Sequence, residues 1–120
     1  MEKKETDVLA HKRCAPCEGG VKPLGKAEAE RLLRELPGWR LASAAKAIEC
    51  DYLMKDFGAA IEFINRIAEV AEKEDHHPDL HLSGYRKLRV ELSTHAIEGL
   101  SENDFIVAAK IGHIPKQLKH

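Results

Sequence analysis

The sequence predicts an α+β domain in which a four-stranded antiparallel sheet carries three helices on one face, in the order α-β-β-α-β-β-α. Apolar residues recur at helical spacing in three segments, and they alternate with polar residues in four shorter ones. The strand-like segments come in pairs joined by short turns. Strands joined in this way pair antiparallel, which leaves the second face of the sheet or an edge free for a partner subunit.

The first helix and the first hairpin follow an N-terminal arm. Apolar residues at helical spacing predict a helix over residues 26–36, which Pro37 and Gly38 end. A strand is expected to begin at Trp39, and a second one runs from Ile48 to Met54 with alternating apolar positions. Residues 43–46 supply the turn between these strands.

A long helix comes next. Asp56 is a suitable N-cap, and the helix should stop at or just before His77, because the residue before Pro78 is pushed out of helical geometry. We expect one apolar stripe to face the core. Its members are Phe57, Ala60, Ile61, Ile64, Ile67, Ala68 and Ala71.

The last hairpin and the last helix complete the order. Alternating leucines and valine predict strands around residues 80–82 and 88–92, with a turn at Gly84. Ser101, followed three residues later by Asp104, has the pattern of an N-terminal capping box. A helix through Phe105 and Ile111 is therefore expected.

Length and charge limit the classes of function. A chain of 120 residues and 13.4 kDa suits one domain, which we place at residues 25–120 after an arm of residues 1–24. The formal net charge of -1 argues against a broad nucleic-acid-binding surface, and no apolar run is long enough for a membrane span. The charged N-terminus lacks the pattern of a secretion signal, so a cytoplasmic location is expected.

The arm contains a Cys-x-x-Cys pair, Cys14 and Cys17, with His11 three residues upstream. These are ligands that zinc prefers, but a structural zinc site needs four, and the chain has no second pair to supply the others. An arm of mostly irregular structure is favoured, and metal or redox chemistry remains the alternative.

Seven histidines outnumber the aromatic residues, and two of them form the densest chemical segment, His76-His77 after Glu72 and Asp75. The negative end of the preceding helix and the nearby carboxylates favour a protonated imidazole, which is the form that a general acid needs. An ordinary helix end, whose histidines only cap carbonyl groups, is the alternative. His81 is a further candidate at the border of such a site.

A second candidate segment is Ser93-Thr94-His95, where the last strand ends and polar side chains emerge at the rim of the sheet. A plain turn would explain the same residues. Asp104 has an ordinary explanation as well, since it can complete the capping box with Ser101.

Taken together, residues 25–113 resemble the pterin-4a-carbinolamine dehydratase family. The segments that carry the resemblance are Glu72-Lys73, Asp75-His76-His77-Pro78, Tyr85 with Lys87, Leu92-Ser93-Thr94-His95, and Gly99-Leu100-Ser101-Glu102 with Asp104. The resemblance implies the same sheet with three helices on one side, and a dimer or tetramer. It also implies dehydration of 4a-hydroxytetrahydropterin to quinonoid dihydropterin, with no metal or other cofactor.

The resemblance assigns roles to these residues. His76 and His95 would be the acids, each for a hydroxyl on one face of the pterin ring, and His77 would chiefly orient the ring. Asp75, Ser93 and Thr94 would hold the pterin through polar contacts. Glu72 and Asp104 would lie behind the histidines and orient them.

Two classes of function are therefore weighed. The first class is a dehydratase, which would recycle the pterin cofactor of an aromatic amino acid hydroxylase. The alternative is a non-catalytic module that binds pterin or protein, of the transcriptional coactivator or assembly factor type. Because this chain has all three histidines, the enzyme is favoured.

Overall fold

The computed structural model describes residues 9–15 and 22–120. Its strands are β1 (Trp39–Ala42), β2 (Ala47–Leu53), β3 (Asp79–Ser83) and β4 (Lys87–Leu92). The helices of the domain are α1 (Lys26–Leu33), α2 (Phe57–Glu74) and α3 (Glu102–His113), with a 3-10 turn, His95–Ile97, before α3. The strands form one antiparallel sheet in the order β1-β2-β4-β3, which confirms the predicted α+β fold.

The sheet buries only one of its faces. Cys50 on β2 lies opposite Val90 on β4, and both are at most 4% exposed. The next pair along the same strands, Asp51 and Arg89, points the other way and is exposed. Helix residues such as Phe63 share one core cluster with the buried strand residues, so the helices cover this single face.

The opposite face of the sheet is polar. Asp51 accepts hydrogen bonds from Arg89 Nε at 2.9 Å and from Arg40 at 2.8 Å. A shallow hollow of about 670 Å³ lies over these strands, with His81 and Glu91 also on its wall. Among the described residues, no helix is long and apolar enough to cross a membrane.

The first helix is shorter than the sequence predicts, since α1 ends at Leu33 and not at Leu36. The amides of Glu35 and Leu36 bond to carbonyls three residues back, at 3.2 and 2.9 Å. Such bonds tighten the last turn of a helix, and here they bring the chain to Pro37. Leu36 is nevertheless buried, as its spacing indicates.

The long helix α2 begins as predicted, because Asp56 Oδ1 accepts a hydrogen bond from the amide of Ala59 at 2.8 Å. Its predicted core stripe is wrong in part. Phe57 and Ile61 are 53% and 37% exposed and Ala68 is exposed too, whereas Phe63, which the stripe omitted, is 1% exposed. The helix is apolar on more than one side, so packing on the sheet decides which side is buried.

Replacing Phe63 with alanine should lower the free energy of unfolding by about 3–5 kcal/mol, because a large buried side chain leaves a cavity. The same change at Phe57, on the exposed side of α2, should cost less than about 1 kcal/mol. Urea denaturation of both variants measures the difference. If both variants lost the same free energy of unfolding, Phe63 would not lie on the buried side of α2 and Phe57 on its exposed side.

Candidate active site

A cleft of about 450 Å³ opens where the C-terminal end of α2, the connection from β4 to α3, and the arm meet. We call it the histidine cleft. It is lined by Cys14, Ala15, Glu74, Asp75, His76, His77, Ser93, Thr94, His95, Ala96 and Asn103. Of the eight residues that the resemblance assigns to the site, six thus line one cleft: Asp75, His76, His77, Ser93, Thr94 and His95.

The way α2 ends directs the first two histidines into the cleft. Asp75 adopts the left-handed conformation, with φ of 51°, and the amide of His76 donates to the carbonyl of Ala71 at 3.1 Å. The Asp75 amide also points back, toward the carbonyl of Glu72. This pattern is a Schellman motif, which reverses the chain direction at a helix end.

A second reversal positions Thr94 and His95 after β4. The Thr94 amide donates to the carbonyl of Gly99 at 2.8 Å across the 3-10 turn, which closes a loop just before α3. Pro23 packs against this loop so closely that a Cβ atom at Gly99 would lie 2.8 Å from the Cβ of Pro23. Glycine is therefore required at this position.

Asp104 connects the two segments. Its side chain is fully buried, and Oδ1 lies 2.7 Å from His76 Nε2. Oδ2 accepts hydrogen bonds from the Thr94 hydroxyl at 2.8 Å and from the Ser101 amide at 3.0 Å. The predicted capping box is present, and the same carboxylate also reaches the histidine.

Thr94 is 3% exposed, and its hydroxyl proton is committed to Asp104. The Ser101 hydroxyl, 2.8 Å away, then donates to Thr94 Oγ1. The side chain of Thr94 therefore orients the carboxylate behind His76.

The remaining predicted residues differ in exposure. His77 is half exposed, and its Nε2 lies 3.4 Å from Glu72 Oε2, while Glu72 itself is exposed and lies outside the cleft. His95 is exposed at the start of the 3-10 turn. His81 does not border the cleft, since it lies on the open face of the sheet, 3.8 Å from Glu91.

Glu74 and Asn103 also line the cleft, although no pattern in the sequence points to them. Glu74 Oε1 accepts the Cys14 amide at 2.9 Å, and Glu74 Oε2 lies 3.7 Å from Lys110 Nζ. Asn103 makes a pair of hydrogen bonds to the backbone of Ala15. The contacts of Glu74 with Cys14 and of Asn103 with Ala15 join residues at least 60 positions apart in the chain, so no local pattern could have indicated them.

Cys14 is half-buried in the wall of the cleft. Burial, reinforced by the negative charge of Glu74, raises the pKa of its thiol to about 12. Cys17 lies outside the described residues. Within residues 9–15 and 22–120, no three metal-ligating side chains come together.

The chain belongs to the family described as pterin 4 alpha carbinolamine dehydratase, whose model matches residues 22–114. The histidine cleft, apart from its arm residues, lies within this match.

Similar proteins carry the family's name. A Halorhodospira halophila protein named for pterin-4-alpha-carbinolamine dehydratase is 48% identical over 86% of this chain and 94% of its own. A Nitrosomonas eutropha protein named in the same way is 52% identical over 86% of this chain and 89% of its own. The crystal structure of a transcriptional coactivator/pterin dehydratase from Brucella melitensis, 35% identical, superposes with a TM-score of 0.72 and covers 76% of this chain and 96% of that one.

The thiol of Cys14 should react slowly with iodoacetamide, because only the thiolate is nucleophilic. At about pH 8 we expect alkylation more than about tenfold slower than in the urea-unfolded chain, where the thiol regains an ordinary pKa. Mass spectrometry of the peptide that contains Cys14 measures the rate. A rate that reaches its plateau below about pH 10 would show that the thiol is not protected as described.

Proposed function

We propose that this chain catalyses the dehydration of 4a-hydroxytetrahydropterin to quinonoid dihydropterin and water. The observation that carries the proposal is the meeting of His76, His77 and His95 at one cleft, with buried Asp104 bonded to His76. Membership of the dehydratase family supports the same reaction.

The reaction needs one proton donor and one proton acceptor. The C4a–O bond breaks as the hydroxyl takes a proton from an imidazolium and leaves as water, while N5 gives its proton to a neutral imidazole of the cleft and forms a double bond to C4a. No net oxidation occurs, so side chains that exchange protons can supply all of the chemistry. We propose that pterin is the substrate and that no cofactor takes part.

His76 is the first proposed acid. An ionised carboxylate only accepts hydrogen bonds, so the Nε2 of His76 donates to Asp104 and Nδ1 is the nitrogen left for substrate. The carboxylate holds the ring in one orientation and stabilises the imidazolium that gives up the proton.

His95 is the second proposed acid, for the hydroxyl on the other ring face. It comes from the β4–α3 connection and not from the end of α2, so the two imidazoles approach a bound ring from different elements. His77, Asp75 and Ser93 would orient the pterin through polar contacts.

A non-catalytic role is the second candidate. The structural neighbour from Brucella melitensis is titled both a coactivator and a dehydratase, so the fold alone does not separate the two functions. The carboxylate bonded to His76 favours the enzyme, because binding alone does not need an oriented proton donor.

We further propose that the protein acts in the cytoplasm, as a homodimer or homotetramer, and serves an aromatic amino acid hydroxylase that releases the hydroxylated pterin. The family resemblance supports these assignments.

The purified protein should accelerate the loss of 4a-hydroxytetrahydropterin absorbance over the rate in buffer. His76→Ala and His95→Ala should each slow one stereoisomer by about 100-fold or more and the other much less, because each removes one positioned acid. Stopped-flow absorbance with the separate isomers measures this. If the wild-type protein binds pterin but the reaction runs no faster than in buffer, the proposed dehydratase activity is refuted and a non-catalytic binding module is favoured.

Asp104→Asn should slow the same isomer as His76→Ala, since the amide cannot stabilise the imidazolium as a carboxylate does. The isomer served by His95 is the internal control, and its rate should stay within about threefold of wild type. A pH profile of the affected isomer should shift with the substitution. Equal slowing of both isomers would mean that Asp104 acts only through the stability of the fold.

A further inference from the structure

The described part of the arm packs onto the domain. Leu9 is fully buried in the main core cluster, and residues 9–11 are helical. Lys12 Nζ lies 3.2 Å from Glu102 Oε2 at the start of α3. The arm is therefore anchored upstream of the histidine cleft.

The arm then passes along the cleft itself, where Cys14 and Ala15 line the wall. The Ala15 amide donates to Asn103 Oδ1 at 3.0 Å, and Asn103 Nδ2 donates to the Ala15 carbonyl at 2.6 Å. Asn103 is 6% exposed whereas Ala15 is exposed, so these bonds are partly buried. A side-chain amide that binds both polar groups of one residue holds that residue in a defined position.

Glu74 holds the preceding residue. Its Oε1 accepts the Cys14 amide at 2.9 Å, and its side chain is only 4% exposed. Lys110 on α3 lies 3.7 Å from the other carboxylate oxygen and offsets its buried charge. The arm is thus bonded to the end of α2 and to the start of α3.

These attachment points are the elements that also carry the proposed catalytic groups. Glu74 lies two residues before His76, and Asn103 immediately precedes Asp104. A change at the arm therefore moves the wall relative to the histidines, while the histidines keep their own supports.

We propose that Cys14 and Ala15 form a pterin-binding wall of the site, and that Glu74 and Asn103 are the residues that position it. The proposal rests on the proposed function, in that the ligand is a pterin. A protonated thiol and a methyl group present a smooth, uncharged surface, which suits van der Waals contact with a flat ring. Both residues precede residue 22, where the match to the family model begins.

Ala15→Phe tests the wall directly, because a large ring at this position fills part of the cleft. Arg13→Phe is the matched control, since Arg13 is exposed on the same arm and does not line the cleft. Ala15→Phe should raise the Kd for 7,8-dihydrobiopterin, and the KM for the substrate, by about tenfold. Arg13→Phe should leave both within about twofold of wild type.

Asn103→Ala should also raise KM and Kd, because the backbone of Ala15 loses both of its bonds to the amide. Thermal melting of each variant shows whether it is folded, and if Asn103→Ala is unfolded, the Ala15→Phe and Arg13→Phe pair decides. Equal Kd values for that pair would refute the proposed pterin-binding wall and would leave the proposed dehydratase activity untouched. Wild-type protein without dehydratase activity would refute the proposed function, and the Kd values would still test the wall. Wild-type protein that neither binds 7,8-dihydrobiopterin nor accelerates the dehydration would overturn both proposals.

Discussion

The buried carboxylate of Asp104 is the interaction on which the rest of the site depends. It caps α3 through the Ser101 amide, binds the Thr94 hydroxyl after β4, and bonds to His76 beyond the end of α2. A buried charge is costly unless it is fully hydrogen-bonded, and these three donors satisfy it. The same bonds that make the carboxylate tolerable in the core therefore also fix the imidazole in the cleft.

Two chain reversals prepare this meeting. The left-handed Asp75 ends α2, and the loop from Thr94 to Gly99 turns the chain from β4 toward α3. Both reversals are stabilised by backbone hydrogen bonds, so they hold their side chains without help from a ligand. The site is consequently built on the ends of rigid elements, which is where catalytic groups can be held accurately.

Local patterns in the sequence predict much of this structure. The N-cap at Asp56, the capping box at Ser101 and the stop before His77 each depend on a few neighbouring residues, and all three are confirmed. The same patterns do not identify the core face of α2, because Phe57 and Phe63 are equally apolar and only contact with the sheet distinguishes them. The helix α1 ends earlier than predicted because hydrogen bonds to carbonyls three residues back, of the 3-10 type, replace its last α-helical turn.

Spacing within short stretches of chain is enough to specify the order of helices and strands, the residues that cap them, and the two histidine segments. Three other features depend on how the folded chain packs: Asp104 reaches His76, His81 faces away on the open sheet, and Cys14 and Ala15 enter the wall of the cleft. These contacts join residues that are 28 to 89 positions apart, or depend on which face of the sheet a side chain occupies. Residues so far apart in the sequence are brought together by packing of the core and by hydrogen bonding of buried polar groups, and neither leaves a local pattern in the sequence.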